Sequence, residues 1–97
     1  MRTLILPVKR KWFLQIQTGL KRAEYRLRSS YWEKRLIGRH FDQIAVTLGY
    51  PARNDTSRRI TFPWNGYTLE TVTSEEWNNE PKEVFAIHLQ RHATNHT

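Results

Sequence analysis

Ile44, Val46 and Leu48, then Tyr67, Leu69 and Thr71, then Phe85, Ile87 and Leu89: three times the chain sets apolar or β-prone side chains two residues apart, with smaller or more polar residues between them. A period of two is that of a strand whose alternate side chains face opposite sides of a sheet. The run from Thr3 to Val8, with Pro7 near its end, adds a strand before these. Arg59 to Phe62, closed by Pro63, adds another between the first two. Lys21 to Arg28 alternates as well, with Ala23, Tyr25 and Leu27 on one face and Arg22, Glu24, Arg26 and Arg28 on the other, the pattern of a half-buried strand.

Helical signals lie between these runs. Trp12, Phe13, Ile16 and Leu20 sit at near-helical spacing, and Gly19 supplies the left-handed residue that ends a helix, so Lys9 to Thr18 is predicted helical. Ser30 is the expected cap of a second helix over about Tyr31 to Ile37, with Glu33 reaching back and Gly38 as the stop. Ser74, Glu75 and Glu76 start a third short helix, which Pro81 breaks. Tyr50 to Arg58 reads as an Arg-containing loop, and Asn65-Gly66 carries a hairpin signal. Residues 91–97 read as a frayed tail. The expected fold is α+β, one domain over residues 1–97: a small, partly open β-barrel of five to six strands with two to three short helices.

Composition narrows the function classes. Four Trp can build a core from few residues. Cysteine is absent, which removes disulfides, thiolate metal sites and a Cys nucleophile. No apolar run approaches a membrane span or a signal peptide, so the expected location is cytoplasmic and no membrane partner is expected. The net charge of +7 is unevenly spread. Residues 1–59 carry 14 of the 16 Lys and Arg and four acids, a net of +10, whereas residues 60–97 carry two cations and five acids, a net of −3. A basic stripe interleaved with Trp12, Tyr25, Tyr31 and Trp32 fits a polyanion with stacking bases, and single-stranded RNA or a nucleotide is the expected partner. An acidic protein partner would explain the charge but not the aromatics.

No phosphate-binding glycine loop, dinucleotide fingerprint or zinc-protease motif is present. His88, His92 and His96 stand four apart, but from a strand into a tail, so no metal site is expected there. Asp42, Asp55 and Glu70 have no spacing that predicts a shared cation. The stretch Gly19 to Arg28 holds four cations and one carboxylate, Glu24. Lys21 follows a Gly turn that lets it swing towards a cleft; flanked by Arg22 and Arg26, it is a candidate general base, and Glu24 can accept a proton, orient a base edge or hold a substrate amine. The plain alternative is an exposed ion pair worth about 0–1 kcal/mol. Lys9, Arg10 and Lys11 fall at a helix start, where the helix dipole disfavours cations, and so point to an anion. The candidate nucleic-acid contacts are therefore Lys9, Arg10, Lys11, Trp12, Arg22, Tyr25, Arg26, Arg28 and Arg59.

The arrangement Gly19-x-Lys21-x-x-Glu24-x-Arg26, with the lead-in LILPVKRKWFLQIQTG, resembles the signature of ASCH domains of the PUA-like superfamily. The similarity is specific over about Leu4 to Arg28. It implies a small barrel with helices beside it and a charged cleft lined by Lys21, Glu24 and Arg26, with Lys9 near the rim. It also implies RNA-linked roles: RNA binding, and in some members RNA cleavage or hydrolysis of a modified nucleoside. Relatives resembling acetylcytidine amidohydrolases have a threonine nucleophile where this chain has Glu24, and Thr18 and Ser29 are not at the matching position. The expected function is thus an RNA-binding ASCH domain with a basic cleft. Ribonuclease activity, with an added Mg ion as its only expected cofactor, or hydrolase activity on a modified nucleoside is the enzymatic alternative.

Overall fold

The computed structural model of the protein describes residues 1–90; the tail expected over residues 91–97, with His92 and His96, lies outside them. Six strands and two helices follow in the order β1 (Thr3–Val8), α1 (Arg10–Gln17), β2 (Ala23–Leu27), α2 (Ser30–Leu36), β3 (Gln43–Leu48), β4 (Arg59–Pro63), β5 (Tyr67–Val72) and β6 (Lys82–His88). Two 3₁₀ turns, Thr56–Arg58 and Glu75–Trp77, precede β4 and β6. The α+β class and the element count match the sequence reading.

The strands pair as two separate three-stranded sheets, β1-β3-β4 and β2-β6-β5. β1 runs parallel to β3, with α1, β2 and α2 making the long connection a parallel pair requires. All other pairs are antiparallel. β3 and β6 are the middle strands and are covered on both faces: Ile44 to Thr47 and Val84 to Ile87 are buried without a break. Both sheets and both helices feed one core, with Leu4, Leu6, Ile44, Val46, Phe85 and Ile87 at its centre and Phe13, Ile16 and Leu36 closing it. Each such side chain contributes about 1.5–3 kcal/mol by leaving water.

Three local expectations are corrected or completed. Asn65-Gly66 does not close a hairpin, because β4 and β5 belong to different sheets. Gly66, at φ +78°, instead turns the chain from one sheet to the other, and its carbonyl accepts the His88 amide so that β5 starts alongside β6. The cap of α2 is Ser29 rather than Ser30: its hydroxyl accepts the Trp32 amide at 3.3 Å. One residue earlier is still a Ser, so the signal was ambiguous by one position. The third concerns β2, whose inward face the alternation left open. Its charged face points inward: Glu24 and Arg26 lie opposite Ile87 and Phe85 of the core, while Tyr25 and Leu27 are exposed.

Candidate cleft at the start of the second strand

Gly19, at φ +83°, breaks α1, and Lys21 is turned back by its amide bond to the Gln15 carbonyl. β2 begins two residues later, its entry fixed by the Leu89 amide on the Arg22 carbonyl. This places the Lys21 ammonium 3.0 Å from Glu24 Oε1. On the other side, Arg26 Nη2 donates to Glu24 Oε2 at 3.0 Å and to the Pro7 carbonyl at 2.7 Å, tying β2 to β1 of the other sheet. Glu24 is only 6% exposed. A lone carboxylate there would cost several kcal/mol, so its two cations are what make its burial tolerable. The exposed surface pair considered above is therefore not what forms.

Aromatic rings frame the cations. Lys21 Nζ lies 4.1 Å from the centre of the Trp12 ring and 5.5 Å from that of Tyr25. Arg26 lies 5.1 Å from the centre of Trp32. Such contacts contribute about 0.5–2 kcal/mol and hold the cations in place.

Above this triad opens a cleft of about 570 Å³. Its floor is Lys21, Glu24 and Arg26, one wall is Trp12 and Gln15 of α1, and Ser74, Glu76 and Trp77 of the second 3₁₀ turn form the other. Lys9, 80% exposed, reaches across the rim to Glu76 at 3.8 Å. A volume of this size accommodates one nucleotide-sized ligand.

The six other expected contacts divide cleanly. Arg22 and Tyr25 line the cleft. Arg10 lies on the neighbouring depression around Gly49 and Tyr50, and Lys11 is exposed beside Trp12, 4.7 Å from its ring centre. Arg28 stands away from the cleft, bridging Glu33 at 3.5 Å and Glu83 at 3.6 Å. Arg59 donates to the carbonyls of Pro51 and Ala52 and so fastens the loop before β4. Trp77, Ser74 and Glu76 were missed from sequence. An isolated Trp in the otherwise polar stretch Ser74 to Lys82 was the signal available.

Lys21 as a general base would need its nitrogen free, whereas here the nitrogen sits on a carboxylate and a ring face. Both Glu24 oxygens are taken by cations, and no second carboxylate lies beside them on the floor. Among the described residues no three His, Asp or Glu side chains cluster as metal ligands. Among the described residues no helix is long and apolar enough to cross a membrane. The chain matches no family model, no curated protein and no solved structure.

Proposed function

We propose that this is an ASCH-like domain of PUA-like architecture that binds a nucleotide, free or within single-stranded RNA, in the cleft above Lys21, Glu24 and Arg26. The observation that carries the reading is the buried carboxylate held between two cations beneath two tryptophan-bearing walls. A cleft for phosphate alone needs no carboxylate. A base edge presents donors and acceptors together, which a carboxylate and its flanking cations match, and its faces stack on indole. In this pose the base lies on the floor and its phosphate lies towards Lys9 and Arg22 at the rim. The shared core and the bond from Arg26 to Pro7 support the PUA-like reading of the two sheets as parts of one partly open barrel.

The test follows the cleft's own fluorophores. Titrating uridine and cytidine 5′-monophosphates and short single-stranded RNA should change the emission of Trp12 and Trp77. For single-stranded RNA each neutralised phosphate should add about −0.7 to the log–log salt slope. Trp12→Ala or Lys21→Met should weaken binding about tenfold or more. No binding of any of these ligands at low salt would overturn the reading.

Turnover in the same cleft is a second reading: a ligand that draws Glu24 away from Lys21 would leave both side chains beside it on the cleft floor. Incubation with single-stranded RNA, with and without magnesium, and with an N-acylated cytidine tests it. Lys21→Arg keeps the charge but stays protonated, so retained function makes Lys21 a contact and lost turnover with retained binding makes it a base. No turnover by the intact protein leaves the binding domain.

A further inference from the structure

Arg26 is shared between the cleft and a second hollow on its far side. That hollow, about 480 Å³, is lined by Ile5, Pro7, Arg26, Tyr31, Trp32, Arg35 and Tyr50, with no carboxylate among them. Tyr50 is 92% exposed and Tyr31 60%. Arg35 holds its guanidinium 5.2 Å from the Tyr31 ring centre and 5.4 Å from that of Trp32, and Tyr31 meets Trp32 edge-on at 5.4 Å. Tyr31 keeps most of its surface in water despite these contacts, and with the exposed Tyr50 it offers ring area beside two arginines on which a base can stack. Both hydrogen bonds of Arg26 use Nη2, and Arg26 lines both hollows. Pro7 borders both as well, so they are neighbours within the reach of one side chain.

We propose that this hollow is a second nucleotide subsite, in which the base adjacent to the one in the cleft stacks on Tyr31 or Tyr50 and the phosphate joining the two bases crosses Arg26 towards Arg35. The inference rests on the nucleotide reading of the first cleft and adds to it a minimum ligand length of two. It also separates this face from a generic basic surface. Charge alone would reward any polyanion, whereas exposed rings reward a second base. An acidic peptide would use the arginines and leave the rings idle.

Uridine 5′-monophosphate, the dinucleotide UpU carrying a 5′-phosphate, and the same dinucleotide with either one of its bases removed separate the cases when titrated against the intact protein. UpU should bind about tenfold more tightly than the mononucleotide, and both abasic dimers should lose most of that gain. Tyr31→Ala combined with Tyr50→Ala should remove the gain and leave mononucleotide affinity unchanged. Both side chains are exposed, so folding is not at risk, and an unchanged melting temperature checks this. Equal affinity for the mononucleotide and UpU, a gain that survives in the double variant, or abasic dimers as tight as UpU would each overturn the second subsite while leaving the first. Absence of mononucleotide and UpU binding alike would instead overturn the nucleotide reading itself.

Discussion

Glu24 is the residue on which stability and site chemistry meet. Its carboxylate sits in the core-facing row of β2 and is satisfied on both oxygens by Lys21 and Arg26. Glu24→Gln keeps the shape but leaves two cations facing each other in a place with little water. Breaking a buried pair by removing one partner costs about 3–5 kcal/mol, and we expect a loss of that order in urea denaturation. A loss below 1 kcal/mol would show that the pair is solvated like a surface one. Arg26→Lys should also destabilise, by about 1–3 kcal/mol. An ammonium keeps the charge but cannot span the Glu24 carboxylate and the Pro7 carbonyl while lying over Trp32.

Elements were legible where local pattern and local chemistry agree. Alternation marked four of the six strands, an apolar run and a segment closed by Pro63 marked the other two, and Gly19 and Gly38 marked the helix ends, both with positive φ. β2 shows the limit of that reading. Alternation says that Glu24 and Arg26 share a face but not which face turns inward, because the answer depends on Lys21 from before the strand and Pro7 from another sheet. The same holds for the site: its floor was legible as a cluster of charges, but the wall carrying Trp77 comes from a turn far along the chain. Two small elements carry predictions of their own. Ser29 caps α2, and Ser29→Ala should cost about 1 kcal/mol, read as a lowered midpoint in thermal unfolding. Asp55 caps the turn before β4; the Ser57 hydroxyl, at 2.6 Å, is the main cause that holds its carboxyl below the ordinary value, helped by the Ser57 amide and by Arg58. A carboxyl lowered on folding adds stability that is present above its unfolded value, near pH 4, and is lost as pH falls through the lower folded value. The turn should therefore hold at neutral pH and loosen only in acid, which an NMR titration of Asp55 and Ser57 would follow; an Asp55 midpoint at or above 4 would contradict it.

Across the whole molecule the charge asymmetry becomes a matter of place. Lys9, Lys21, Arg22, Arg26 and Arg35 line the two hollows, whereas the acidic second half contributes Glu76 at the cleft rim and Glu83 beside Arg28. If the site takes a nucleotide, saturation at 100 times the dissociation constant should stabilise the fold by about 2.7 kcal/mol, visible as a raised melting temperature that high salt diminishes. The topology also sets an order of events in time. β6 lies between β2 and β5 and carries Phe85 and Ile87 into the core, yet among the described residues it is the last strand in chain order. While the chain grows, Glu24 and Arg26 have no sheet to rest against until residues 82–88 have left the ribosome. β6 is thus the latch of the fold: its pairing with β2 is what turns the charged row into a buried one.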